Sequence, residues 1–166
     1  QPKDALFRND GAAGFVNVID AASPLNRGDH GTQFVDVDGD GGLDLSITDG
    51  YSPEGGHFLF RNTLPDEAKT RSLAVLVLDA QGHFTQIGAE VRVFDAGGRV
   101  LASRQVVSGG GYNSQRTGPV HIGLTSLAPV TVEVTFMGAK GRTTQRIPNV
   151  RPSDYSRKSL IVRRAR

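Results

Sequence analysis

Four aspartates crowd into the stretch FVDVDGDGGLDL, residues 34–45: Asp36, Asp38, Asp40 and Asp44. Carboxylates this close repel one another unless a positive charge sits among them. With Asp36 as position one, they occupy positions one, three, five and nine, and glycine holds four, six and seven. Oxygen ligands at alternating positions wrap a hard cation when the backbone turns sharply between them, which glycine permits. Ligation by oxygen alone selects Ca2+, with Mg2+ and Mn2+ less well suited. The expected metal set is Asp36, Asp38, Asp40, Asp44 and the backbone carbonyl of Gly42. An EF-hand opens the same way but needs a bidentate Glu at position twelve, where this chain has Ile47. It also needs flanking helices, whereas Phe34-Val35 and Leu45–Thr48 read as strands. The competing reading is a loop of solvated turn aspartates without a metal.

Other chemistry is sparse. SGGGYNSQ, residues 108–115, invites a phosphate-loop reading, but it lacks the Gly-Lys-Ser/Thr ending and no helical pattern follows. It reads as a turn whose Tyr112, Asn113 and Gln115 are candidate ligand contacts. The histidines, at 30, 57, 83 and 121, pair with no other histidine at metal-ligand spacing. His30 precedes the aspartates and is expected near the ion; His121 alternates outward on a strand and is expected to be solvated. No Gly-x-Ser-x-Gly elbow occurs, and Glu54, Glu90 and Glu133 are scattered. Aspartates that coordinate a cation cannot act as a glycosidase pair. The chain is therefore expected not to be an enzyme.

These residues must be positioned by strands. Among the 166 residues are 21 glycines, and long helical patterns are missing. LAVLVL (73–78) is a continuous apolar run. AEVRVF (89–94) and VLASRQVV (100–107) flank an Asp95–Gly98 turn as a hairpin. VHIGL (120–124) alternates, and VTVEVTF (130–136) sets Val130, Val132, Val134 and Phe136 inward. RTTQRI follows a turn at 138–141, and SLIV (159–162) closes the set. The tetrapeptide LFRN occurs at 6–9 and again at 59–62, on either side of the aspartates. Repeats near 50 residues are typical of propeller blades, which cannot bury their faces alone.

Composition narrows the class. With 37% hydrophobic and 22% charged residues the chain is globular, and no apolar run is long enough to span a bilayer. It has no cysteine, so disulfides and thiolate sites are excluded. Residues 1–66 carry eleven acids against four bases, net −7; residues 67–166 carry six acids against fifteen bases, net +9, which returns the overall +2. The reversal suggests two modules. The bases are spread, without the interleaved aromatics of a stacking platform, so no nucleic-acid partner is expected. The first residue, Gln1, suggests a matured product or a piece of a longer chain.

The DVDGDGGLD loop between strands, flanked by the LFRN copies, resembles the FG-GAP or VCBS-type repeat of integrin-like β-propellers over roughly residues 5–62. That resemblance implies Ca2+ bound by Asp36, Asp38, Asp40, the Gly42 carbonyl and Asp44. Roughly residues 73–150 resemble the ASPIC/UnbV domain, found after FG-GAP repeats in secreted proteins such as the animal cartilage acidic proteins. Its landmarks here are Ile87-Gly88-Ala89, Gly109–Gln115, Ile122-Gly123-Leu124 and Asn149-Val150. The chain departs from that pattern at Phe136–Ala139, where the family has Trp-Pro-Ser-Gly, and in ending on arginines.

The expectation is an all-β protein: a partial propeller-type repeat with a Ca2+ loop (1–64), a linker (65–72) and a small antiparallel β-sandwich or barrel (73–166). The expected function is extracellular recognition or adhesion through a protein or glycan ligand, the ion being structural. The chain would be secreted, periplasmic or at the cell surface, and upstream propeller blades of the same chain are expected neighbours. The alternatives are an accessory domain of a larger exported enzyme and a cap on a propeller.

Overall fold

Strict alternation of β-branched and polar residues makes residues 130–136 a strand with one dry face. In the computed structural model, which describes residues 3–26, 30–49, 55–112, 115–139 and 141–165, that strand is β10 (Val130–Gly138). Val132, Val134 and Phe136 are each 0% exposed. Twelve strands and one short helix make the described residues all-β.

β10 is one of the two inner strands of a four-stranded antiparallel sheet in the order β11 (Gly141–Val150), β10, β7 (Glu90–Phe94), β8 (Val100–Gln105). The expected β7–β8 hairpin is present, its turn closed by Asp95, whose carboxylate accepts from the Arg99 amide at 2.9 Å. In the edge strand β11 an extra residue bulges out: Val130 faces Val150, but Val132 faces Ile147. Pro148 sits inside this irregularity and Asn149 has φ +56°, so a residue unable to donate to a ladder lies at the edge.

The second sheet runs β12 (Leu160–Arg163), β6 (Ser72–Leu78), β9 (Val120–Gly123). β9 pairs antiparallel with β6, but β12 pairs parallel, Leu160 opposite Val75. This corrects the expected antiparallel sandwich: its second sheet is mixed. The chain re-enters beside β6 only after β7–β11, so the closing strand arrives in the same direction. Leu73, Val75, Val77, Ile122 and Val162 from this sheet meet Val91, Val93 and the β10 valines in one continuous core.

The first sixty residues form separate small sheets. A hairpin joins β1 (Phe7–Asn9) to β2 (Phe15–Asn17), and a meander joins β3 (Gly31–Val35), β4 (Asp44–Asp49) and β5 (Gly56–Phe60). Register places Thr32, Phe34, Leu45 and Ile47 on one face, and Leu6, Ile19 and Leu25 cover it around a 190 Å³ cavity. The described residues contain neither a closed propeller nor a closed barrel, in contrast to the barrel alternative. Between meander and sandwich, α1 (Asp66–Lys69) makes a single helical turn.

The layer architecture assigns most of the core to one side chain type, so truncating its largest member is informative. Phe136→Ala is expected to lower unfolding free energy by about 3–5 kcal/mol, read from urea titration; a loss below about 1 kcal/mol would contradict this packing.

Candidate functional site

The aspartate loop, residues 36–43, joins β3 to β4, and Val35 pairs with Asp44 across its base. Its turns are made by its own carboxylates. Asp36 accepts from the amides of Asp40 (3.1 Å) and Gly41 (3.0 Å). Asp38 accepts from the Asp40 amide at 3.3 Å, and Asp40 from the Gly42 amide at 2.9 Å. The backbone can fold this tightly because Gly39 and Gly41 adopt φ +71° and +91°. One carboxylate oxygen from each of Asp36, Asp38 and Asp40 lies within 4.8 Å of the others.

Asp44 is 2% exposed and lies outside that trio. One oxygen accepts from the Val37 amide (3.1 Å), the other from the Asn62 amide (2.8 Å). Asn62 in turn donates to the Leu43 carbonyl at 3.0 Å. Asp44 thus straps the loop to the end of β5, satisfying buried donors. Gly42 is buried, and its amide is given to Asp40.

Two cations meet the loop. The Lys69 ammonium lies 2.6 Å from Asp40 Oδ2 and 3.5 Å from Asp66. Its side chain is only 9% exposed. The Arg61 guanidinium pairs with Asp38. The hydrogen bond from Lys69, then that from the Gly42 amide, hold the Asp40 carboxyl below its ordinary value; the same bond holds Lys69 above its own. The loop also seats on the chain around Lys69. A Cβ on Gly41 would lie 2.7 Å from the Lys69 carbonyl oxygen, and one on Gly42 would lie 2.9 Å from Lys69 Cδ.

The sequence reading missed these two cations. Arg61 belongs to the second LFRN copy, and the structure gives both copies one local design. Arg8 pairs with Asp10 at 2.7 Å as Arg61 pairs with Asp38. Asn9 and Asn62 each accept from the amide two residues on, at 2.9 Å. The repeated tetrapeptide was the available signal for Arg61. Lys69 carried none, since its role depends on α1 folding back over the loop.

Of the other candidates, Tyr112 is exposed and its ring lies 6.5 Å from that of His30. Gln115 lines a 380 Å³ cavity with Asp36 and Arg116. Asn113 and Glu54 lie outside the described residues. His83 lies 3.5 Å from Asp79, and His57 is exposed on β5. His121 corrects an expectation: it is half-buried where two cavities meet, and burial pushes it below the usual imidazole value.

The donor set fits a hard cation: three carboxylates converge from one loop, with all-oxygen chemistry. A metal there would share Asp40 with the Lys69 ammonium.

The Lys69–Asp40 pair fixes a pH dependence. Folding lowers the Asp40 value, so the pair's contribution is fully present above the unfolded value of 3.8 and is lost as pH falls through the lower folded one. In EDTA, the stability gap between wild type and Asp40→Asn is expected to stay constant near neutrality and to close well below pH 3.8; a gap that persists in strong acid would contradict the pairing.

Comparison with curated proteins and with solved structures found no match. Residues 80–156, which carry β7 to β11 and the 3-10 turn after them, match the family model described as ASPIC and UnbV.

Proposed function

We propose that this chain is a non-enzymatic, extracellular calcium-binding recognition module whose ion is structural. The observation that carries the reading is the convergence of Asp36, Asp38 and Asp40 oxygens within 4.8 Å in a loop already folded by its own amides. Such a loop needs little further ordering to accept a cation, so little of the binding energy is lost to chain entropy. A bound Ca2+ supplies charge neutralisation and no reaction chemistry. The carboxylates of Asp36, Asp38 and Asp40 would hold it, with Asp44 keeping the loop on β5. The FG-GAP or VCBS-type resemblance of residues 5–62 supports the same reading, as does the ASPIC and UnbV match downstream. Protein or glycan ligands, and a secreted, periplasmic or cell-surface location, belong to this proposal.

Lys69 makes the reading testable, because ammonium and Ca2+ compete for Asp40. At calcium a hundredfold above Kd, linkage adds about 2.7 kcal/mol, roughly 5–10 °C in melting temperature for a chain of this size. EDTA is expected to remove that increment, Asp40→Ala to abolish the calcium response, and Lys69→Met to enlarge it. A wild-type melt indifferent to both calcium and EDTA would end the proposal.

A second reading is favoured by the apolar surface of the first sixty residues. Phe7 and Phe15 are 61% and 69% exposed, and Val16, Val18 and Leu59 are exposed too. Faces of this kind accompany a repeat that packs on neighbouring repeats. In this reading the chain is an accessory or capping part of a larger exported protein, with upstream blades of the same chain against β1–β2. Phe7→Ser with Phe15→Ser is then expected to leave the melt of the isolated chain unchanged within about 2 °C and to reduce its self-association in sedimentation. A large loss of stability would place these rings in the chain's own core.

A further inference from the structure

A groove runs between the meander and the sandwich. Its larger part, about 520 Å³, has Arg71, Arg104 and Arg116 in its wall, and no carboxylate lines it. A second part of 380 Å³ shares Gly41, Ser72, Arg116 and His121 with the first and adds Arg157 and Lys158, with Asp36 as its one carboxylate. The volumes lie in the range of small-ligand sites, and their continuity suits a short chain better than a single small ion.

Among the described residues none of Arg71, Arg104 and Arg116 pairs with a carboxylate. Arg104 donates to the Ser103 carbonyl at 2.9 Å and Arg116 to that of Pro119, which orients both side chains while leaving their charges unneutralised. Elsewhere Arg8, Arg61, Arg92, Arg99 and Arg146 each face an acid, whereas among the described residues Arg142, Arg151, Arg163 and Arg164 face none but stand singly, without a cavity that gathers them. Guanidinium groups are planar forks that hold carboxylate or sulfate oxygens in pairs. Polar side chains of Asn62, Ser72 and Gln105 stand in the same wall, suited to hydroxyl groups. Phe34 and the His121 imidazole are the rings of the larger part and Tyr155 joins in the second, too few for a row of rings on which bases would stack.

We propose that this groove binds an acidic oligosaccharide, gripping its carboxylate or sulfate groups with Arg71, Arg104 and Arg116. The inference gives the recognition reading its ligand class and rests on it, but it does not depend on calcium.

Titration calorimetry at about 0.15 M salt tests it with four probes: a sulfated heparin-type hexasaccharide, a hexagalacturonate, neutral cellohexaose and a single-stranded hexanucleotide. One or both acidic sugars are expected to bind, and which one tells sulfate from carboxylate. Arg71→Ala with Arg104→Ala is expected to weaken binding roughly a hundredfold, about tenfold per guanidinium. Arg71→Lys with Arg104→Lys keeps the charge without the forks and is expected to fall between, with an unchanged melt. Removing equal charge outside the groove, Arg151→Ala with Arg163→Ala, is expected to change affinity less than about threefold. Equal losses in groove and control pairs, no binding of either acidic sugar, or tighter binding of the hexanucleotide would each overturn the proposal. Cellohexaose binding that ignores Arg71 and Arg104 would overturn it too while leaving recognition itself standing. Failure of the calcium reading shows separately, in the EDTA melt.

Discussion

The ion pair between Lys69 and Asp40 is the constraint around which the rest is arranged. Three carboxylates converge in one eight-residue loop, and their repulsion has to be offset from within the chain or by a bound cation. The chain offers one cation from the end of β5 and one from α1. Arg61 is exposed and its pairing competes with water; Lys69 is nearly buried, with its carbon stem laid against Gly42 and its carbonyl against Gly41. Burying an ammonium requires a partner, so Lys69 depends on Asp40 as much as Asp40 depends on it.

This pair has a geometric consequence. Loop backbone and α1–β6 junction approach so closely that Gly41 and Gly42 admit no side chain. Ser72, at the start of β6, is buried and donates to the Lys69 carbonyl at 2.9 Å, holding the junction's shape. The metal-type loop and the sandwich therefore meet at a backbone contact rather than through a flexible tether. A cation that displaced the ammonium from Asp40 would act on the contact between them.

The groove follows from the same meeting. Gly41, Ser72 and His121 lie at its middle, where meander and sandwich touch, and Arg71 just before β6, Arg104 of β8 and Arg116 of the following loop face it. No carboxylate lines the larger part of the groove, so its wall keeps positive charge despite the negative balance of the first half of the chain. Segregation of charge along the sequence is thereby converted into segregation across a surface.

Much of the architecture was legible because it rests on period-two patterning. VTVEVTF fixed which faces of β10 are dry, and Asp95–Gly98 marked a hairpin, since both depend on neighbours in sequence. The convergence of Asp36, Asp38 and Asp40 was legible for the same reason: glycines between them set the turns. The parallel docking of β12 on β6 was not, because alternation gives a strand its face but not the direction of its partner. Nor was the role of Asp44, which looks like a fourth ligand by spacing and serves amides of Val37 and Asn62 in space. His121 read as a solvated strand residue, yet the meander covers it. By itself, the sequence determined the strands, the turns and the aspartate cluster, all local consequences of side-chain period and backbone freedom. Tertiary structure alone decided that Lys69 neutralises Asp40 and that three arginines, without a carboxylate partner among the described residues, share one groove. Those are meetings of residues far apart in the chain, set by how the sheets pack.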